Sequence, residues 1–158
     1  MLKEFQKFNA VITDTSCFIL LDKIDAFEIL GSIYSNVVTT PEIAAEFGKP
    51  LPDWIMIKAV SNKTRQYQYA EKVDAGEASA IALAMELPSP LLILDDLKGR
   101  KLASQLKISY TGTLGVLVLA KNKGIITALK PYFDKITGTD FRISPDLLQS
   151  ILNDSGEL

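Results

Sequence analysis

Two adjacent carboxylates stand at the end of a short and very apolar run of the chain. Asp95 and Asp96 directly follow residues 91–94, which read Leu-Leu-Ile-Leu. A run this short and apolar predicts a strand that is buried on both faces of a sheet. Open α/β sheets bind their ligands at the carboxyl edge of such strands. Because neighbouring like charges repel each other, either water or a divalent cation must compensate this pair.

Further acidic residues recur at the same point of other predicted strand–helix units. Asp14 follows a predicted strand at residues 9–13, and Glu77 lies in the first turn of an alanine-rich helix predicted over residues 74–87. The carboxyl ends of parallel strands share one edge of a sheet, and the helices that follow them begin there. We therefore expect Asp14 and Glu77 to lie on one rim with the adjacent aspartates.

Glu46 is a further acidic candidate in the helix after the second predicted strand. It lies one helical turn beyond Glu42 and reaches the same rim if its helix turns that face inward. Glu42 itself is typical of a surface charge favoured by a helix N-terminus.

Each of these acids also has an ordinary structural explanation. Asp14 and Asp96 suit helix N-caps, and Glu77 has the spacing of a capping box with Asp74. A solvated helix face would account for Glu46. Convergence of the whole set on one rim is the stronger indication of a functional site, because folding does not require such a cluster and mutual repulsion opposes it.

The composition removes several catalytic chemistries. The 158 residues contain no histidine and one cysteine, Cys17, so sites that depend on histidine are excluded. Oxygen ligands remain, and these suit Mg²⁺ or Mn²⁺. With the hydroxyls of Thr15, Ser16 and Thr113 nearby, such a site can orient a water molecule and stabilise in-line attack on a phosphodiester.

Charge and hydropathy narrow the class of protein further. The net charge of −2 argues against strong non-specific binding to nucleic acid, although a local basic patch remains compatible with it. A single cysteine permits no internal disulfide, which predicts a cytoplasmic protein. No apolar run is long enough to cross a membrane, so we expect no membrane partner.

Short strands alternate with helices along the chain, which predicts a parallel sheet covered by helices on both faces. At this length we expect one domain over residues 1–158, with a helical C-terminal extension from about residue 125. The pattern predicts a strand within residues 54–60, a loop with some helix over residues 61–73, and an edge strand at residues 141–143.

Five short motifs, in this order, resemble those of the PIN-domain family, which includes the VapC-like ribonuclease toxins. They are residues 11–16 (VITDTS), 40–47 (TPEIAAEF), 74–84 (DAGEASAIALA), 92–96 (LILDD, with Arg100 and Ala103 after it) and 112–117 (GTLGVL). The last motif is similar to a segment found in a poorly characterised subgroup of the family. The resemblance covers most of the chain.

The resemblance implies a three-layer α/β/α fold with a central parallel sheet of four to five strands. It also implies a Mg²⁺ or Mn²⁺ site and endoribonuclease activity, with RNA as the substrate. In toxin members an antitoxin protein blocks the site and homodimers are common, so both are implied partners here. The implied catalytic and metal-binding residues are Asp14, Glu46, Glu77 and Asp96, with Asp95 assisting.

Two of these assignments involve a choice between neighbours. The functional acid of the second motif precedes a bulky apolar residue in the family, which selects Glu46 over Glu42. Asp96 is preferred to Asp95 because its spacing to Arg100 fits the family pattern. The third acid, Glu77, departs from the aspartate of many toxin members, and its longer side chain makes the geometry of that ligand less fixed.

A cluster of basic residues follows the acidic pair directly. Lys98, Arg100 and Lys101 can hold the backbone of an RNA. The ordinary explanation is a solvated helix face, and the sequence supports both about equally.

Two other functions compete with a metal-dependent nuclease. One is a non-catalytic PIN-like module that binds RNA or a protein without cutting. The other is a Mg²⁺-dependent phosphoryl-transfer or receiver-like domain, which needs a lysine at the end of a later strand. Lys107 precedes a predicted strand, so this last hypothesis ranks third.

Overall fold

A five-stranded parallel sheet forms the centre of the protein, as described by a computed structural model over residues 8–157. The strands are β1 (Ala10–Thr13), β2 (Val37–Thr39), β3 (Ile55–Ile57), β4 (Pro90–Ile93) and β5 (Ser109–Thr111). Their order across the sheet is β3-β2-β1-β4-β5, and every neighbouring pair is parallel. The predicted parallel sheet of four to five strands is therefore confirmed.

Nine helices lie within the described residues and flank the sheet to give a three-layer α/β/α fold, as predicted. They are α1 (Thr15–Lys23), α2 (Glu28–Ile33), α3 (Pro41–Phe47), α4 (Lys63–Tyr69), α5 (Ala75–Ala84), α6 (Leu97–Gln105), α7 (Thr113–Asn122), α8 (Lys130–Thr137) and α9 (Pro145–Asp154). Between residues 8 and 157, no helix combines the length and apolar character needed to span a membrane.

The two central strands are apolar because both of their faces are covered. All four residues of β1 are buried, and so are the last three of β4. Each residue of β1 from Ala10 to Thr13 pairs with one of β4 from Pro90 to Ile93. The residues that follow these two strands therefore emerge side by side at the carboxyl edge of the sheet.

Local capping signals set several helix boundaries. The hydroxyl of Thr40 accepts a hydrogen bond from the Ile43 N–H (3.2 Å) at the start of α3, and Pro41 occupies its first position. Gly48 ends α3 with φ of 74°, a left-handed conformation that glycine adopts without steric cost. Helix α5 is made of small residues, and burial of Gly76 to Ala84 places it deep against the sheet.

Two predictions about local structure need correction. Residues 141–143 do not form an edge strand; Phe141 and Ile143 are partly buried against the core in an irregular segment between α8 and α9. Alternating apolar residues there pack inward without a neighbouring strand to pair with. The strand predicted within residues 54–60 is present but shorter, as β3.

The polar segment predicted as a loop with some helix contains a full helix, α4. Asn62 caps it by accepting a hydrogen bond from the Arg65 N–H (2.9 Å). Further along, the carboxylate of Glu157 accepts hydrogen bonds from the N–H groups of Leu129 (2.8 Å) and Lys130 (3.0 Å) and from the Lys121 ammonium (2.7 Å). These bonds tie the residues after α9 to α7 and to the start of α8.

Candidate metal site at the carboxyl edge of the sheet

Asp14 is the most deeply buried carboxylate of the predicted set. It follows β1 directly, is only 3% exposed, and caps α1 by accepting a hydrogen bond from the Cys17 N–H (3.0 Å). Burial raises its pKa to about 8, and the nearby carboxylates of Asp95, Glu77 and Asp74 add to the rise. The Cys17 hydrogen bond opposes this rise without cancelling it. Asp14 is therefore both a cap and a member of an acidic group.

Glu77 combines the same two roles in the first turn of α5. The predicted capping box is present: Asp74 accepts from the Glu77 N–H (2.8 Å), and Glu77 accepts from the Asp74 N–H (3.4 Å). Burial raises the pKa of Glu77 to about 7, with further upward contributions from Asp74, Asp96 and Glu46. Its side chain thus lies among other acids in addition to capping its helix.

Glu46 reaches the same place from α3. Its carboxylate accepts a hydrogen bond from the Thr15 hydroxyl, which links α3 to the start of α1. A Cβ built at Gly76 would lie 3.1 Å from the Glu46 Oε1 atom, so the absence of a side chain there allows the carboxylate to approach α5. The face of α3 that carries Glu46 is turned toward the other acids.

Glu42 is engaged elsewhere. Its carboxylate accepts a hydrogen bond from the Gln66 side chain and lies 3.8 Å from the Lys63 ammonium, both on α4. These contacts join α3 to α4 and leave Glu42 outside the cleft described next. The structure thus separates the two glutamates of α3, in agreement with the sequence analysis, which favoured Glu46 on its position in the helix and on the family pattern.

These acids line a cleft of about 180 Å³ at the carboxyl end of the sheet. Its walls are formed by Asp14, Thr15, Ser16, Ile19, Glu46, Asp74 and Glu77. The sequence reasoning missed Asp74 and Ile19 as members of this site. The capping-box spacing predicts Asp74 only as a cap, although its position three residues before Glu77 also places both carboxylates on one side of a helix turn.

The adjacent aspartates after β4 have different surroundings. Asp95 accepts two hydrogen bonds from Thr113, one from its N–H (2.9 Å) and one from its hydroxyl (2.6 Å). Asp96 is exposed and caps α6 by accepting from the Gly99 N–H (3.0 Å). The predicted N-cap role of Asp96 is therefore present, and Thr113 supports Asp95.

Both aspartates still act electrostatically on the cleft. Asp95 contributes to the raised pKa of Asp14, whereas Asp96 contributes to the raised pKa of Glu77. The two aspartates therefore belong electrostatically with the acids of the cleft, although they do not line it.

The three predicted RNA contacts fall into two groups. Lys98 and Lys101 are exposed on α6, directly after the acidic pair. Arg100 is turned toward the protein instead, with its Nε donating to the Leu94 carbonyl (2.7 Å). Ser16 is exposed at the mouth of the cleft, where its hydroxyl is accessible to a ligand.

No three acidic or cysteine side chains within residues 8–157 are already arranged to hold a metal ion. Several of the carboxylates already accept hydrogen bonds from the protein: the Thr15 hydroxyl donates to Glu46, and the Thr113 hydroxyl donates to Asp95. The donor set nevertheless fits a hard divalent cation in kind, because every candidate ligand is an oxygen and the like charges need a compensating cation.

The chain matches a known family model along nearly its whole length. A family described as a PIN domain matches residues 10–157. No curated protein matches the chain significantly.

Proposed function

Because this chain belongs to the PIN-domain family, we propose that it is an endoribonuclease that depends on Mg²⁺ or Mn²⁺. The observation that carries the proposal is the meeting of Asp14, Glu46 and Glu77 in one cleft at the carboxyl edge of the sheet. They come from three helices far apart in the chain, since Asp14 caps the start of α1, Glu77 lies in the first turn of α5 and Glu46 lies in the last turn of α3. Their mutual repulsion opposes folding. A bound cation supplies the compensating charge.

The proposed ligands are Asp14, Glu46 and Glu77, together with the aspartates after β4. A bound Mg²⁺ or Mn²⁺ would activate water and offset charge on the phosphodiester undergoing attack. The hydroxyls of Thr15 and Thr113 orient the carboxylates of Glu46 and Asp95. No side chain of this group needs to act as a nucleophile.

The surroundings of the cleft suit an RNA backbone. Ser16 offers a hydroxyl at the mouth, and Lys98 and Lys101 offer exposed positive charges beyond Asp96. Arg100 is less suited to this role because its guanidinium already contacts protein groups.

Purified protein is expected to cut single-stranded RNA when Mn²⁺ or Mg²⁺ is added and to stop when EDTA is added. The reason is that the carboxylates, without a cation, repel both each other and the phosphate. Gel analysis of a labelled RNA measures this directly. Equal cleavage with EDTA and with Mn²⁺ would contradict the proposal.

The choice between Asp95 and Asp96 gives a separate prediction. The family spacing favours Asp96, whereas the packing favours Asp95, which Thr113 holds in place beside Asp14. We expect Asp95→Asn to weaken Mn²⁺ binding by about tenfold or more, and Asp96→Asn to weaken it less. Calorimetric titration of both variants measures the difference, and the reverse order would return the assignment to Asp96.

A non-catalytic module that binds RNA or protein is the second candidate. The observation that favours it is the lack of a preassembled group of three ligands among the described residues. Titration with Mn²⁺ separates the two functions, because a module without a working site shows no binding that depends on Asp14 or Glu77.

The more specific proposal is that the nuclease is the toxin of a toxin–antitoxin pair in the cytoplasm, with an antitoxin covering the cleft and with a homodimer as the assembled form. It rests on the resemblance to VapC-like members alone. A small neighbouring reading frame that encodes a DNA-binding protein would support it.

A further inference from the structure

We propose that Arg100 is a positioning residue for the metal site: with Thr113 it holds the Asp95 carboxylate in one orientation, in a space that exists because residue 112 is glycine. This inference rests on the proposed function and deepens it. It gives a role to two features that the nuclease proposal leaves unused, the inward-turned Arg100 and the glycine before α7.

Arg100 is held by contacts to the residue after β4 and to the middle of β5. Its Nε donates to the carbonyl of Leu94 (2.7 Å), which directly follows β4. Its Cζ lies 5.2 Å from the centre of the Tyr110 ring on β5, within the range of a cation–π contact. Since β4 and β5 are paired, the sheet itself determines where the guanidinium lies.

From this position Arg100 faces Asp95. Its Nη2 lies 3.8 Å from the Asp95 Oδ1 atom, with the arginine side chain one-third exposed and the aspartate less so. Among residues 8–157, this is the one ion pair made by a carboxylate of the acidic group. Arg100 thus brings a positive charge close to the Asp95 carboxylate.

Thr113 completes the arrangement. Its N–H donates to Asp95 Oδ1 (2.9 Å), and its hydroxyl donates to Asp95 Oδ2 (2.6 Å). With a partner on each oxygen, the carboxylate cannot rotate without losing a hydrogen bond. Each oxygen keeps a lone pair that a cation can use.

Gly112 provides the space for these contacts. A Cβ at this position would lie 2.2 Å from the Arg100 Nη2 and 2.7 Å from the Asp95 Oδ1, which is too close for either atom to stay in place. The backbone of Gly112 is extended (φ −104°, ψ 178°), a conformation open to any residue. Glycine is therefore required here because a side chain would not fit, and an alanine would displace Arg100 or Asp95 without straining the backbone.

Gly112→Ala tests the inference with little change elsewhere. In the unmodified, metal-free protein the Arg100 Nε–H should give a slowly exchanging NMR resonance, because it donates to a buried carbonyl; its absence in Arg100→Lys assigns it. We expect Gly112→Ala to lose this protection and to weaken Mn²⁺ binding by about 10- to 100-fold, the usual cost of losing a partner that orients a ligand. The variant that combines Gly112→Ala with Arg100→Lys should weaken Mn²⁺ binding by less than the product of the two single effects, because both substitutions disturb the same contact.

Two control variants separate this effect from general disturbance. Gly115→Ala places a Cβ in the same helix, where it would meet the Thr111 hydroxyl at 2.3 Å instead of Asp95. Lys130→Gln removes one positive charge from an exposed pair with Asp134. Both should keep the Arg100 resonance and the Mn²⁺ affinity.

The outcomes distinguish this inference from the proposed function. Unchanged Mn²⁺ affinity in both Gly112→Ala and Arg100→Lys would overturn the positioning role and leave the nuclease proposal standing. Absence of Mn²⁺ binding in the unmodified protein would overturn both, even with a protected Arg100 resonance. Loss of resonance and affinity in Gly112→Ala, with Gly115→Ala unaffected, supports the role even if the RNA substrate is unknown.

Discussion

Asp14→Asn is expected to reduce cation-dependent RNA cleavage on the order of a thousandfold while the protein stays folded. Asp14 is the most buried of the proposed ligands, and loss of its charge removes several kcal/mol of cation-mediated stabilisation of the transition state. Asparagine keeps a side-chain oxygen that can accept from the Cys17 N–H, so the cap of α1 is retained. Initial rates on a labelled RNA with saturating Mn²⁺ measure the effect, and circular dichroism verifies the fold.

The matched control for this variant is Asp134→Asn, which removes the same charge from an exposed i,i+4 pair with Lys130. Its cleavage rate should equal that of the unmodified protein. Full activity of Asp14→Asn in a well-folded preparation would refute the assignment of the cleft.

The metal-free protein is expected to lose stability as the pH rises from 5 to 8. Burial raises the pKa of Asp14 from 3.8 to about 8, and that of Glu77 from 4.5 to about 7. A carboxyl with a raised pKa binds its proton more tightly in the folded state, so its stabilising contribution is complete below the unfolded value and is lost as the pH approaches the folded one. We expect a loss of about 2–4 kcal/mol in the free energy of unfolding, measured by urea denaturation in EDTA.

Two comparisons make this second prediction specific. Asp14→Asn should reduce the slope of stability against pH and should be more stable than the unmodified protein at pH 8, because it buries no charge. Mn²⁺ should stabilise the unmodified protein most at the high end of the range, where the carboxylates are ionised. A stability that does not change between pH 5 and 8, or an equal slope in Asp14→Asn, would contradict the raised pKa values of the buried Asp14 and Glu77 carboxyl groups.

The features predicted correctly from the sequence are those that depend on neighbouring residues. The helix caps at Asp14 and Asp96 and the capping box between Asp74 and Glu77 each need only a few consecutive residues to specify them. The same holds for the buried strands, whose apolar runs have the length and composition of a doubly covered parallel sheet. Alternation alone failed at residues 141–143, because a strand also needs a partner.

The details of the site depend on contacts between segments that are distant in the chain, and local sequence patterns do not predict such contacts. Nothing in the pattern around Glu42 indicates that it contacts Gln66 on another helix. Likewise, Arg100 has the appearance of one more surface charge in a basic run, and only the pairing of β4 with β5 brings it against Tyr110. The division between Asp95 and Asp96 has the same origin, since Thr113 lies after the next strand.

The strand order has a consequence for the time at which the cleft can form during synthesis. The central strand β1 pairs with β4, and β5 is added only after β4, so Asp14 leaves the ribosome long before Asp95 and Thr113. Parallel pairing over such a separation is slow because the closure of a long chain segment must come first. A nascent chain that already contains Asp14, Glu46 and Glu77 therefore still lacks Asp95 and the threonine that holds it, and the proposed site is complete only after β5 has joined the sheet.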